Sequence, residues 1–250
     1  MDPASATLIT GASSGLGRAS ALRLSRERTL ILHGRNLDRL EETRRQCHNP
    51  ERHVLWPFDL KNIGNLSDTL AHLLAKRALS VEAFVHCAGM VTILPARSID
   101  HRVAHEIMTV NFLSAVEIVN TLLKKKINSG RLSNIVFISS IWARFGARGH
   151  SAYCASKSAL DGFMRALAVE LAPATRVNSI LPGAVQTSMA EGGFADPAIA
   201  EKLRQDYPLG TGRAGDIASA VEFVLSPGAR WLTGQEIVLD GGRTINASLK

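Results

Sequence analysis

The sequence predicts an α/β fold, a doubly wound parallel sheet with helices on both faces, formed by residues 1–250 as one domain. Three observations predict it. Short apolar, β-branched runs alternate with helix-like segments along the chain, the pattern of a parallel sheet with crossover helices. The first run passes directly into a glycine-rich turn and then a helix-like stretch. No linker, internal repeat or low-complexity segment divides the chain, and 250 residues are enough to bury one large core.

The elements follow in order. Ala6–Thr10 is a buried-strand candidate, followed by Gly11-Ala12-Ser13-Ser14-Gly15-Leu16-Gly17 and a helix-like stretch from Arg18 to about Glu27. Glycines let a ligand approach the backbone, and a helix N-terminus offers free N–H groups and partial positive charge to a pyrophosphate. Ser13 and Ser14 add hydroxyl donors. Further strands are expected near 29–33, 53–58, 82–86, 133–139, 176–181 and 236–239. The long stretch 188–212, with Met189, Gly192, Gly193 and Phe194, reads as a lid over the site's edge.

Tyr153-Cys154-Ala155-Ser156-Lys157 begins thirteen residues after Ser140. In a helix, Tyr153 and Lys157 share a face. A phenol, an ammonium and a nearby hydroxyl form a proton-transfer device, because the cation favours the phenolate. Bringing a phenol of pKa ~10 to neutral pH takes roughly 4 kcal/mol of differential stabilisation.

Thr10-Gly11-x-x-x-Gly15-x-Gly17 with Ser140, Tyr153 and Lys157 resembles the short-chain dehydrogenase/reductase family, in its single-domain branch of 3-oxoacyl-carrier-protein reductases. Asp59-Leu60, His86-Cys87-Ala88-Gly89, Asn111, Pro182-Gly183-Ala184-Val185-Gln186-Thr187 and Asp240-Gly241-Gly242 match further landmarks, so the resemblance spans nearly the whole chain. It implies a Rossmann-type sheet of seven strands in the order 3-2-1-4-5-6-7, with the cofactor at the carboxyl edge. It also implies roles: Ser140 polarises the substrate oxygen, Tyr153 exchanges its proton, Lys157 lowers the phenol's pKa and binds the nicotinamide ribose, and Asn111 links Lys157 to solvent through a water. Val185 and Thr187 fall where the family contacts the carboxamide. The chain departs from the family's frequent Asn-Asn-Ala-Gly at His86 and Cys87, and from the glycine before strand two at Arg28.

The second strand ends His33-Gly34-Arg35-Asn36, where this fold meets the adenosine ribose. An acidic residue there would repel a 2′-phosphate; Arg35 offers a guanidinium fork instead. NADP(H) is the expected cofactor, with Asp59 placed to accept from the adenine amino group. Candidates for the substrate pocket are Val91, Leu94, Trp142, Phe145, His150, Met189 and Phe194. They suit a bulky, largely apolar carbonyl or alcohol, and the family resemblance implies a 3-oxoacyl thioester, free or carrier-bound, as the first candidate. Sugar and secondary-metabolite carbonyls are the alternatives, and a non-catalytic NADP-binding regulator is the contrasting class. An epimerase reading fails on chain length and glycine spacing.

Composition excludes other classes. A hydrophobic share of 46% and a charged share of 20% describe an ordinary globule. No apolar run is expected to reach a membrane span, and the N-terminus lacks a signal-like core, so cytoplasmic residence is the expectation. Cys47, Cys87 and Cys154 show no metal spacing, and no metal is expected. The net charge of +7 has its densest run at Lys124-Lys125-Lys126, without the interleaved aromatics that stack bases, so no nucleic-acid partner is expected. Small residues on the helix from Ala152 to Ala172 and the apolar strand 236–239 accompany the homotetramer that the resemblance implies.

Overall fold

The computed structural model describes residues 3–187 and 197–246. Seven strands form one sheet: β1 (Ala4–Thr10), β2 (Leu30–Gly34), β3 (Val54–Pro57), β4 (Leu79–His86), β5 (Asn134–Ile138), β6 (Arg176–Pro182) and β7 (Glu236–Leu239). All neighbours are parallel and the order is 3-2-1-4-5-6-7. Val185–Gln186 pairs with Gly212–Arg213 in a separate small ribbon.

Helices cover both faces: α1 (Gly15–Leu24), α2 (Leu37–Gln46), α3 (Leu66–Arg77), α4 (His101–Met108), α5 (Ser114–Leu123), α6 (Lys125–Asn128), α7 (Ser151–Glu170), α8 (Pro197–Asp206) and α9 (Ala214–Leu225). Strand alternation sorts the core into two layers. Leu8, Ile31, Phe84, Phe137 and Val177 meet Leu70 of α3, Ile118 of α5 and Leu160 of α7. Ile9, Leu32, Val85, Val136 and Ile180 meet Ala21 of α1, Leu40 of α2 and Val221 of α9. Strands buried on both faces need these near-continuous apolar runs, and each fully buried Leu or Ile contributes about 1.5–3 kcal/mol.

The chain runs outward in opposite directions from β1 and β4. Their carboxyl ends therefore flank a crevice, the place where an open α/β sheet binds its ligand.

Two expectations need correction. α4, a π turn at Thr109–Leu113 and α5 make one helix, His101–Leu123, whose length and mean hydropathy of 1.3 do suffice for a membrane span. It is nevertheless a core helix, because Ala115, Ile118, Val119 and Leu122 pack into the sheet layer. The stretch 188–212 is also not uniform. Its first nine residues, Met189 and Phe194 included, lie outside the described residues. Its end is tied to the body: buried Tyr207 accepts from Ala184 N at 2.9 Å, and Leu209 N donates to Gly241 O at 3.0 Å.

Candidate active site

A cleft of about 530 Å³ opens at the carboxyl ends of β1 and β4. One end is backbone. Gly11, at φ +68°, packs so close to the His86–Gly89 turn that a Cβ would sit 2.9 Å from Ala88 N, and a Cβ on Gly17 would overlap the Gly11 carbonyl. Only glycine fits this crossing of turn and helix. Ser14 caps α1 without a side-chain bond to the helix N–H groups, which leaves them available to an anion. Thr187 faces the loop from the opposite wall, its Cγ2 3.5 Å from where a Gly15 Cβ would stand. Ser13, Leu16, Ala88, Gly89, Pro182, Gly183 and Val185 also line the cleft. The cradle fits a dinucleotide's pyrophosphate.

Arg35, Asp59 and Leu60 line the adenosine end. Arg35 is exposed and forms no ion pair among the described residues. Asp59 Oδ1 accepts from Lys61 N at 3.0 Å, which fixes the turn after β3. Asn36 stands outside the lining and caps α2, accepting from Arg39 N at 2.9 Å.

The other end is side chains. Tyr153 and Lys157 project from α7 into the cleft, with Lys157 Nζ 5.8 Å from the phenol ring centroid. Lys157 is buried and donates to Ile138 O at 2.8 Å. Burial pushes its pKa down to about 8, against the raising effect of Asp161. Burial pushes the Tyr153 phenol up to about 12, and hydrogen bonding from Ser140 pulls the other way. Ser140 Oγ accepts from Trp142 N at 3.2 Å, so its O–H is free to donate toward the phenol or a substrate oxygen.

Asn111 does not line the cleft. It sits within the π turn, its Oδ1 accepting from Met90 N at 2.8 Å and its Nδ2 donating to Met90 O and Ser156 Oγ, each at 2.9 Å. The side chain thus ties the turn after β4 to α7. His86 is likewise below the surface. Ala88 N donates to Thr10 Oγ1 at 3.2 Å, and the Thr10 hydroxyl shares a hydrogen bond with His86 Nδ1 at 2.9 Å. Burial holds His86 down to about 3 and raises Cys87 to about 12, so both are neutral at neutral pH.

The family model described as enoyl-(acyl carrier protein) reductase matches residues 11–244. The chain belongs to the short-chain dehydrogenase/reductase family. This is an oxidoreductase family acting on alcohol and carbonyl groups with a nicotinamide cofactor. Cyclopentanol dehydrogenase of Comamonas testosteroni is 32% identical over 250 residues, covering 96% of each chain. The 3-oxoacyl-[acyl-carrier-protein] reductase of Rickettsia felis is 31% identical, covering 94% of this chain and 95% of its own. A solved 4-hydroxyisoleucine dehydrogenase complexed with NADH superposes with a TM-score of 0.89 at 27% identity, covering 97% and 99%.

Of the expected substrate contacts, Val91, Trp142 and His150 line the cleft beside Tyr153. The Trp142 and His150 rings lie 6.3 Å apart, and His150 is 6.4 Å from Tyr153. Leu94 and Phe145 do not line it; Ile93 borders it while 64% exposed, and Phe145 is half exposed. Sequence reasoning missed Ile93, Met90, Val110 and Leu203, which the fold brings to the cleft from separate segments. No periodicity marks them: Met90 and Ile93 come from the loop after β4, Val110 from the π turn and Leu203 from α8.

Proposed function

We propose that this protein is an NADP(H)-dependent oxidoreductase that interconverts a carbonyl and a secondary alcohol, with Tyr153 as the acid/base. The observation that carries the reading is one continuous cleft with the glycine cradle at one end and Ser140, Tyr153 and Lys157 at the other. Gly11 to Gly17 would hold the pyrophosphate, Arg35 a 2′-phosphate, and Val185 and Thr187 the nicotinamide side. The nicotinamide, when bound, supplies or accepts the hydride.

The chain's own residues handle the proton. Ser140 donates to the substrate oxygen and orients it. Tyr153, protonated at neutral pH at the value that burial gives it, transfers its proton to that oxygen on reduction and takes it back on oxidation. Lys157 reloads the phenol. The Asn111 amide is committed to Met90 and Ser156, so the water relay inferred from Lys157 to solvent does not use that side chain to carry the proton.

Val91, Ile93, Trp142 and Leu203 favour an apolar carbonyl, and the 3-oxoacyl reductase relatives make a 3-oxoacyl thioester the first candidate. The D-erythrulose reductase of Gallus gallus, 29% identical, supports polyol carbonyls as the second. A homotetramer fits the open edge of β7 and the exposed Val169, Phe223 and Trp231. The test follows NADPH absorbance against ketones, 3-oxoacyl thioesters and keto sugars. Tight NADPH binding with no turnover of any would move the protein to the regulatory reading.

A further inference from the structure

Asp161 lies one turn beyond Lys157 on the buried face of α7, and nothing in the proton-transfer scheme above uses it. It is 3% exposed. Its Oδ2 accepts from Ser139 Oγ at 2.8 Å, and Ser139 immediately precedes Ser140. Oδ1 and the Ser179 hydroxyl are both buried without a partner at hydrogen-bond distance, and Ser179 still acts on the carboxylate at longer range.

A buried carboxylate with an incomplete set of bonds is costly, so its site calls for a compensating charge. Lys157 has the complementary problem. Its ammonium is buried, and its hydrogen bond goes to a neutral carbonyl, Ile138 O. Beyond the Ser139 and Ser179 hydroxyls, the other titratable groups beside these two carry no free charge. His86 at the end of β4 and Cys87 just after it are neutral at neutral pH, and so is the Tyr153 phenol, whose ring centroid lies 5.8 Å from Lys157 Nζ. From β7 comes Glu236, which acts on Asp161 and is itself neutralised by ion pairs with Arg144 and Arg165. Among the described residues Asp161 is therefore the one carboxylate acting on Lys157.

We propose that Asp161 is a positioning residue of the reaction centre: the buried counter-charge of the Lys157 ammonium and, through Ser139, the anchor of the turn that carries Ser140. The carboxylate links both halves of the proton-transfer device from beneath. This inference rests on the functional reading above only for its consequence on rate; the charge coupling stands in the cofactor-free protein.

The experiment is a titration of Lys157 by nuclear magnetic resonance on lysine labelled at Cε and Nζ, with the resonance assigned by its loss in Lys157→Arg. In Asp161→Asn, which keeps the shape and an acceptor for Ser139, the Lys157 midpoint should fall by about one pH unit or more. Asp161→Glu should restore most of the shift, and Ser139→Ala should leave the midpoint in place. An unchanged midpoint in folded Asp161→Asn would overturn the proposal. If that variant does not fold, the wild-type protein decides. The Asp161 carboxyl carbon should show a step at the pH where Lys157 titrates, and its absence would equally overturn the coupling. No substrate enters the measurement, so a failure to reduce any carbonyl would sink the functional reading while leaving this result standing.

Discussion

The two ends of the cleft are built of different material. The phosphate end is backbone: a turn that only glycine permits at Gly11 and Gly17, and helix N–H groups left free by Ser14. The reaction end is side chains brought from β5, the following turn and α7. Backbone geometry tolerates almost no substitution but carries little specificity. Side-chain geometry carries the chemistry and can vary around a fixed pair of groups. Substitutions at the two ends should therefore fail differently, the first losing the cofactor and the second losing turnover with the cofactor still bound.

The sharpest test of that separation is Tyr153→Phe. Removing only the phenolic oxygen should lower turnover at least about a hundredfold, the usual contribution of a general acid, while NADPH affinity stays at the wild-type value by fluorescence titration. Substantial residual reduction would remove Tyr153 from its role. Its pH behaviour has a definite sign. In the free protein the phenol should titrate at about 12, followed by the carbon resonance of labelled tyrosine; the chain has only two tyrosines, so Tyr153→Phe assigns it. A cationic oxidised nicotinamide should lower that midpoint, and alcohol oxidation should speed up as pH rises. Because folding raises this pKa above its ordinary 10.0, the folded state should lose stability between pH 10 and about 12, where the unfolded chain gives up the proton first.

At the opposite end, Arg35→Ala should weaken NADPH binding about ten- to hundredfold and leave NADH nearly unchanged, the difference of a charge-assisted contact to one phosphate. Equal losses for both cofactors would show that Arg35 does not read the 2′ position. Gly17→Ala should act through the backbone instead. Its methyl group would displace the Gly11 carbonyl, costing about 1–3 kcal/mol of stability in denaturant unfolding and weakening NADH and NADPH alike.

This contrast also explains what the sequence made legible. Glycine spacing after an apolar strand has few explanations, so the phosphate end was readable residue by residue. Tyr153 and Lys157 share a helix, so their meeting follows from spacing alone. Strand order followed from the family resemblance, and the start of β4 was missed because Ser80 and Glu82 interrupt its apolar run. Asn111 was placed as a relay, whereas the bonds of its amide to Met90 appear only once the π turn brings them together. Nothing in the sequence around Asp161 marks it as buried; Ser139, just after β5, and Ser179 of β6 meet it only in the fold. The substrate wall was least legible, because nothing local distinguishes Ile93 from Leu94 when a loop decides which one borders the cleft.

The smallest effects should come from that wall, and they test whether the loop after Ser140 has one functional face. Trp142 lines the cleft and leads through His150 to Tyr153. Phe145, three residues on, is 47% exposed and stands outside the lining. Phe145 lies beyond the 3₁₀ turn Ile141–Ala143 that holds Trp142. Trp142→Ala should raise KM for an apolar ketone about tenfold, the size of a partly buried aromatic contact, with kcat less affected since no proton moves through the indole. Phe145→Ala should change KM by no more than about twofold, as for an ordinary surface substitution. If the two variants weaken substrate binding equally, the outer turn folds over the cleft during turnover. The gate then belongs to this loop, and Phe145 becomes the next residue to vary in the search for the substrate.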